Sequence, residues 1–233
     1  ETGDADDIEP SKQLHSTENK DEVTDMHNMT LASLFQQLIM TRRTSSRLRN
    51  TPSDSSNRNL TADDYRAALD RAVAAGRSAP NHKRTEAFTF KRLLGPSEST
   101  ARLAEIAYQV QLNKGRRDGA TAEENEVVTA AERKREKWSQ VPAFLVALVS
   151  EALGPSLSTT LGNEYEPLPF RPPSTERELE DYAAACAATQ NILLSLHAEN
   201  LATKWATGPV IRTPAFRELV RLLLPPVGEP EPL

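Results

Sequence analysis

The sequence predicts a helix-rich α+β fold with a thin central sheet. Several segments carry apolar residues at helical spacing. Only two longer runs, EAFTFKRLL at 86–94 and VPAFLVALV at 141–149, have the apolar, aromatic or β-branched character of strands. Between residues 176 and 200, alanine and leucine occupy most of the circumference of one long predicted helix, which places that helix at the centre of the fold.

The composition excludes several classes of partner. The chain has 233 residues and a net charge of −5, and this acidic balance argues against nucleic acid as a general partner. No apolar run reaches the roughly 20 residues that span a bilayer, so we expect no membrane partner. A single cysteine, Cys186, rules out an internal disulfide and is predicted to lie in the core. The sequence does not decide between the cytoplasm and an organelle lumen reached after loss of a targeting peptide.

Polarity divides the chain into three parts. Residues 1–28 contain few apolar side chains and are predicted to be a disordered acidic and polar tail. Residues 29–225 are predicted to form one domain, interrupted by a polar connection at 116–126 and a Pro/Gly-rich stretch within 151–174. Residues 226–233 form a proline-rich end, which we expect to be truncated.

The helices carry start and stop signals. Thr30 is the predicted N-cap of a first helix that ends near Arg42. Thr61 and Asp64 predict a capping box at the start of the second helix, and Gly76 is predicted to lie just beyond its end. Two further helices are expected at 103–115, ending at a glycine, and at about 127–138.

The second half of the chain continues in the same way. The run at 141–149 predicts a central strand covered on both faces, with Pro142 tolerated at its start. Thr175 and Glu178 predict a capping box for the long helix. A short strand is expected at 203–208, followed by a last helix that begins at Thr213 and runs to about residue 224.

The segment RRTSSRLR, residues 42–49, is the first candidate site. Arginine presents a planar fork of donors that matches two phosphate oxygens at once. Hydroxyl groups beside the arginines add short donors. The alternative, which the position at a helix end favours when this segment is taken alone, is that Arg42 and Arg43 complement the negative end of the helix dipole.

Two other segments carry weaker signals. The loop SAPNHK, residues 78–83, offers donors at successive positions, and KWATGP, residues 204–209, places a tryptophan beside small residues that let a flat ligand approach the backbone. Taken alone, each is better explained as an ordinary polar loop or a core tryptophan. The four histidines have no metal-ligand spacing, so no metal site is predicted.

In order along the chain, these segments resemble the nitroreductase family of flavoproteins, above all its compact bacterial NAD(P)H nitroreductases. RRTSSRL is similar to that family's RRS-x-S-R-L, and SAPNHK to its R-A-P-D-H-K. WATG and IRTPAFRE are similar to its W-R-S-G and T-x-S-P-x-x-R-E. The resemblance runs from about residue 31 to 224, with 116–126 and 151–174 as insertions.

The resemblance implies a mostly antiparallel central sheet flanked by helices, in an intertwined homodimer that holds FMN at its interface. It implies that Arg42, Arg43 and Thr44 hold the FMN phosphate and ribityl chain. Other residues implied to contact the flavin are Ser78, His82, Lys83, Trp205, Ala206 and Thr207. Contacts to NAD(P)H are implied, more weakly, for Ser195, Leu196, His197, Ala198, Glu199 and Asn200.

The function implied is an FMN-dependent oxidoreductase that moves a hydride from NAD(P)H through flavin N5 to a small acceptor, such as a nitroaromatic or quinone, in ping-pong order. No catalytic side chain is expected because the flavin carries the chemistry. The chain has Ser78 and Ala206 where compact relatives carry arginine, and it ends before their last strand. These departures motivate two alternatives, a degenerate flavin-binding member without turnover and a helical interaction protein without cofactor.

Overall fold

A computed structural model describes residues 30–45, 60–81, 88–118, 124–149 and 163–223. The chain divides into two units, residues 1–41 and residues 42–233. In the first unit, helix α1 (Leu31–Thr41) confirms the predicted first helix. Its apolar stripe is formed by residues such as Leu31 and Phe35, which are exposed.

The second unit confirms the α+β prediction. Its helices are α2 (Ala62–Arg77), α3 (Glu98–Asp118), α4 (Glu124–Ser139), α5 (Glu176–Ala198) and α6 (Pro214–Leu222), its strands are β1 (Phe88–Leu94) and β2 (Ala143–Val149), and a 3₁₀ turn spans Pro209–Arg212. None of the helices within the described ranges is long and apolar enough to cross a membrane.

The sheet has two antiparallel strands in the part of the chain that the structure describes. Phe88 of β1 lies opposite Val149 of β2, and Leu94 lies opposite Ala143. The prediction that β2 is covered on both faces is confirmed in part, because Phe144, Val146 and Leu148 pack against a buried cluster that includes Ile106, whereas Ala143 and Leu145 pack against one that includes Ile192. None of its side chains is fully buried, and within the described residues β1 is its one recorded neighbour, so β2 is not a central strand there. The predicted place of Pro142 is confirmed, since β2 begins at the next residue.

Hydroxyl caps start the helices much as predicted. At α2 the Thr61 hydroxyl accepts from the Asp64 N–H at 3.2 Å, and the Asp64 carboxylate accepts from the Thr61 N–H at 2.8 Å. At α5 the hydroxyl of Thr175 accepts from the Glu178 N–H at 3.1 Å. The Glu178 carboxylate, however, accepts from the N–H of Ser174 at 2.5 Å, one residue before the predicted partner. The α2 box therefore has the reciprocal geometry, and the α5 cap is a variant of it.

Two glycines predicted to end helices lie inside them instead. Helix α2 continues past Gly76 to Arg77, and α3 continues past Gly115 to Asp118. A Cβ atom at Gly76 would lie 2.8 Å from Ile192 Cγ1 on α5, and one at Gly115 would overlap Val127 on α4. These glycines are needed for close helix approach rather than for a left-handed turn. The helices also shorten the predicted polar connection at 116–126, since α4 begins at residue 124.

The core has three clusters among the described residues, of which the smallest lies between α3 and α4 around Leu112 and Val127. Helices α3 and α6 bury one cluster around Ile106, Val110 and Val220, while α2 and α5 bury another around Leu69 and Ile192. The long helix α5 packs against α2 and both strands, as a central helix should.

The start of α5 is less covered than its composition suggested. Leu179 and Tyr182 are exposed there. Cys186, predicted to be a core residue, is only half-buried. The apolar circumference of α5 is therefore covered on one side by its own chain, and one apolar face is left in contact with solvent.

Candidate functional site

The candidate site lies where two segments that are distant in sequence run side by side. We call residues Arg42–Ser45 the arginine segment and residues Thr203–Gly208 the tryptophan segment. Thr44 and Thr203 form a parallel β-bridge, and the Ser45 N–H donates to the Thr203 carbonyl oxygen at 2.9 Å. The fold thus brings together two of the three motifs that sequence analysis selected separately.

The arginine segment presents its polar side chains near this bridge. Arg42 is half-buried, whereas Arg43 and Thr44 are exposed. The Arg43 guanidinium donates to the carbonyl oxygen of Arg42 at 3.0 Å, which folds that side chain back along its own backbone. Two guanidinium groups and a hydroxyl therefore lie on three consecutive residues beside the tryptophan segment.

The tryptophan segment is extended and open. Trp205 is 43% exposed, and Ala206 and Thr207 are exposed beside it. No atom lies within 4 Å of the position that a Cβ would take at Gly208. The strand predicted at 203–208 is wrong, because Thr203 is its one residue that pairs with another segment within the described ranges. Past this bridge the residues have no ladder of backbone hydrogen bonds with another described segment, and residues 204–208 are exposed.

The chain leaves the end of α5 in a turn that leads to this bridge. Asn200 has a φ of 58°, in the left-handed region that asparagine tolerates better than most residues. Its N–H donates to the His197 carbonyl at 2.9 Å, and the Leu201 N–H donates to the Leu196 carbonyl at 2.9 Å. These bonds close the helix and turn the chain toward Thr203. Asparagine just beyond a long helix is a signal from which sequence reasoning could have predicted this turn.

An ion pair fixes the same helix end to α2. The Arg71 guanidinium donates through Nε to Glu199 Oε1 at 3.0 Å and through Nη2 to Oε2 at 2.5 Å. The hydrogen bond from Arg71, together with its charge, lowers the pKa of the Glu199 carboxyl. Nothing in the sequence links these two residues, since they are 128 positions apart.

The six residues predicted to contact NAD(P)H therefore include several with roles in the fold. Leu196 is buried against α2, Glu199 forms the ion pair and Asn200 makes the turn. Ser195 and His197 are half-buried, and Ala198 is exposed. Their predicted contacts with the nicotinamide stay predictions.

Ser78 caps the end of α2. Its N–H donates to the carbonyls of Ala75 and Gly76, and its hydroxyl lies 3.3 Å from the Ala74 carbonyl as a donor. No hydrogen bond joins it to the arginine or tryptophan segment among the described residues. His82 and Lys83 lie outside the described residues, so their predicted flavin contacts, like that of Ser78, stay predictions.

The site is an open surface in the single chain. Two cavities, of about 520 and 340 Å³, lie elsewhere: one between α3 and α4, the other beside Arg66 and Arg92. Neither is lined by residues of the two segments. Within the described ranges, no group of histidine, cysteine, aspartate or glutamate side chains could hold a metal ion.

The chemistry of the donors fits a phosphate joined to a planar ring. Guanidinium groups and a hydroxyl suit phosphate oxygens, and they lie on Arg42, Arg43 and Thr44. The partly exposed indole of Trp205 and the neighbouring backbone amides suit an aromatic ring with polar edges. FMN combines these two parts in one molecule.

Comparison with known proteins agrees with this fold. The sequence model of the Nitroreductase family matches residues 55–224, nearly three quarters of the chain. The crystal structure of a nitroreductase-like family protein from Bacillus cereus is similar, with a TM-score of 0.54, 20% sequence identity, and coverage of 82% of this chain and 79% of that chain. At this identity the likeness concerns the fold alone. The chain has no match among the curated proteins.

The matched range includes the tryptophan segment and begins after the arginine segment. The place of the arginine segment in the site therefore rests on its bridge with Thr203. Membership at this coverage supports an oxidoreductase of the flavin-dependent type. By its sequence match and its fold, this chain belongs to the Nitroreductase family.

Proposed function

We propose that this chain is an FMN-dependent oxidoreductase that moves a hydride from NAD(P)H through flavin N5 to a small acceptor, such as a nitroaromatic or quinone, in ping-pong order. The observation that carries this proposal is the bridge between Thr44 and Thr203, which joins the predicted phosphate residues to the predicted ring residues. Family membership supplies the oxidoreductase class. When bound, the flavin supplies the redox chemistry, and the chain binds and orients.

The arginine segment would hold the phosphate. Arg42 and Arg43 can each offer two parallel N–H donors to phosphate oxygens, and Thr44 adds a hydroxyl. The backbone bond from Ser45 to Thr203 is 2.9 Å long and fixes the direction in which these side chains leave the chain. In this role the side chains anchor the cofactor and take no part in proton transfer.

The tryptophan segment would lie along the ring. Trp205 offers an apolar face, and the backbone N–H groups of Ala206 and Thr207 offer donors to polar ring atoms. The open space at Gly208 lets a flat ligand come close to the backbone. The segment therefore provides shape and hydrogen bonds and leaves the electron transfer to the cofactor.

A second candidate function follows from Ala206. This exposed residue offers no charged donor where the compact relatives carry arginine. The candidate is a member that binds FMN without turning over NAD(P)H. Flavin retention without nucleotide oxidation would favour it over the oxidoreductase.

The proposal includes a homodimer. Phe170, Leu179 and Tyr182 are 73%, 58% and 50% exposed, respectively, and the last two share an apolar face at the start of α5. A second copy is the occupant that we propose for this face, because the resemblance of the sequence to homodimeric flavoproteins implies one. Replacing Leu179 with glutamate should dissociate the dimer in sedimentation velocity, whereas a wild-type chain that sediments as a monomer would contradict it.

The function is tested by titrating the flavin-free protein with FMN and then following NADPH oxidation with a nitroaromatic or a quinone. We expect flavin binding, followed by reduction of the acceptor. Replacing Arg42 and Arg43 with alanine should weaken FMN binding, while Arg133→Ala, at an exposed position on α4, is the control that should not. A wild-type protein that binds no flavin would contradict the proposed function.

A further inference from the structure

A small cavity lies beside the end of β1. Its volume is about 340 Å³, and its lining residues come from α2, from β1, from the start of α3 and from the end of α6. Small-molecule pockets in proteins usually have volumes of about 300 Å³ or more, so a ligand of this cavity must be small. We call it the β1 cavity.

Three leucines form the apolar part of the lining. Leu93 is 3% exposed and belongs to the buried cluster around Ile106, against which Leu223 also packs. Leu94 packs against the other large cluster, the one around Ile192. The core therefore holds this part of the lining in place, and an apolar group that entered the cavity would cover leucine surface.

Two arginines form the charged part. The Arg92 guanidinium, on β1, makes an ion pair with the carboxylate of Asp70 on α2. Arg66 lies one turn before Asp70 on the same helix and is exposed. Within the described ranges Arg66 has no hydrogen bond or ion pair. Because the pair of Arg92 and Asp70 is neutral as a whole, Arg66 leaves the β1 cavity with one uncompensated positive charge.

Two serines complete the polar lining. The Ser97 hydroxyl accepts from the N–H of Thr100 at 3.3 Å, and so is already used at the start of α3. Ser99 is half-buried, and its hydroxyl has no hydrogen bond within the described part of the chain. Glu98, between the two serines, is exposed and does not line the cavity. One guanidinium and one hydroxyl are therefore available as donors to an anion.

We propose that the β1 cavity binds a small monocarboxylate with an apolar tail. A carboxylate carries one negative charge, which matches the one positive charge left by Arg66, and its two oxygens fit the donor fork of a guanidinium. A phosphate monoester carries about 1.5 to 2 negative charges near neutral pH, which exceeds that charge. The apolar tail would lie against Leu93, Leu94 and Leu223.

The direct test is a titration of the full chain with hexanoate and with hexanamide, followed through the backbone amide signals in NMR. Hexanoate should shift the signals of Leu94 and Ser99. Hexanamide has the same tail without the charge and should bind about tenfold more weakly, as expected for the loss of one charged hydrogen bond. Arg66→Gln should reduce hexanoate affinity by a similar factor. Arg77→Gln, the same substitution at an exposed position in the last turn of α2, should leave it unchanged.

The apolar part of the cavity is tested by the length of the ligand. Affinity should rise from acetate to hexanoate by up to about fourfold for each methylene group that is buried. Leu223→Ala should weaken hexanoate severalfold and leave acetate unchanged.

Equal affinity for hexanoate and hexanamide would overturn the proposal, and so would unchanged hexanoate affinity in Arg66→Gln. Shifts confined to the tryptophan segment would place the carboxylate elsewhere and would also overturn it. Hexyl phosphate that binds more tightly than hexanoate at Leu94 and Ser99 would contradict the assignment to a carboxylate. None of these results depends on flavin, so the β1 cavity and the proposed function can fail separately.

Discussion

The α2–α5 helix pair and the pair formed by the arginine and tryptophan segments are held together in different ways. The helix pair is a packed interface in which Gly76 lets α5 approach so closely that an added Cβ would lie 2.8 Å from Ile192. The segment pair has one β-bridge and one 2.9 Å backbone hydrogen bond, and most of its side chains are exposed. Packing specifies the first pair, and backbone pairing specifies the second.

This difference separates stability from binding. A helix interface loses free energy of unfolding when its volume changes. Exposed side chains beside a single bridge contribute little to that free energy, and substitutions there usually change it by less than about 0.5 kcal/mol. Variants of the two regions should therefore fall into two classes, one with lower stability and one with lower ligand affinity.

The largest effect is expected from Ile192→Ala. Ile192 is 3% exposed, and its truncation should leave a cavity and lower the free energy of unfolding by about 3 kcal/mol. Urea unfolding measures this. The flavin affinity of the folded protein should be unchanged. An unaltered unfolding midpoint would contradict the claim that packing stabilises the α2–α5 pair.

Ser45→Pro disrupts the backbone pairing between the arginine and tryptophan segments. Proline has no N–H, so the hydrogen bond to the Thr203 carbonyl is lost, at a cost of about 1 kcal/mol in stability. FMN affinity should fall, by about tenfold if the full hydrogen-bond energy is expressed in binding. Fluorescence titration of the flavin measures the affinity. Ser45→Ala keeps the N–H and should behave as the wild type; similar losses in both variants would assign the effect to the hydroxyl.

Glu199→Gln tests the link between the two regions. Loss of the ion pair with Arg71 should lower stability by about 0.5 kcal/mol at pH 7 and low salt, as is usual for a pair at the surface. The pKa of Glu199 is lowered from its ordinary value of 4.5. The ionised carboxylate therefore stabilises the fold above that pH, and this stabilisation is lost as pH falls through the lowered pKa.

Urea unfolding of the wild type and of Glu199→Gln between pH 3 and 7 measures this pH dependence. The difference between wild type and Glu199→Gln should shrink as the solution becomes more acidic. A difference that grows toward low pH would mean that Glu199 does not stabilise the fold as a carboxylate.

Lys134→Gln should raise the free energy of unfolding, whereas the variants above lower it, and its effect is expected to be the smallest. Its pKa is lowered from 10.5 by burial and then by Lys114 and Lys204, so the charged form is disfavoured in the folded state. The variant should be more stable at pH 7, and its advantage should vanish as pH rises toward 10.5, where the unfolded chain also releases the proton. Thermal unfolding of both proteins across that pH range measures the difference, and a less stable variant at pH 7 would contradict it.

Local signals were sufficient for much of the fold. Thr61 with Asp64, and Thr213 before Pro214, begin helices as predicted because a cap depends only on neighbouring residues. Gly76 was assigned wrongly because its role depends on Ile192, a contact more than a hundred residues away. The short strand at 203–208 failed because apolar composition does not show whether a pairing partner continues beyond one residue.

The site was predictable only in its parts. Its motifs were visible as residue types, and the resemblance set their order. The bridge between Thr44 and Thr203 and the ion pair between Arg71 and Glu199 join distant residues, for which one sequence carries no signal.

The central claim is that the arginine segment holds a phosphate beside the tryptophan segment. The most direct measurement compares the affinities of FMN and riboflavin, which lacks the phosphate, for the wild type and for the double variant Arg42→Ala, Arg43→Ala. We predict that the wild type binds FMN about a hundredfold more tightly than riboflavin, as two charged hydrogen bonds allow, and that the double variant binds both alike. Equal binding of the two flavins by the wild type, or a preference that survives in the double variant, would contradict the claim.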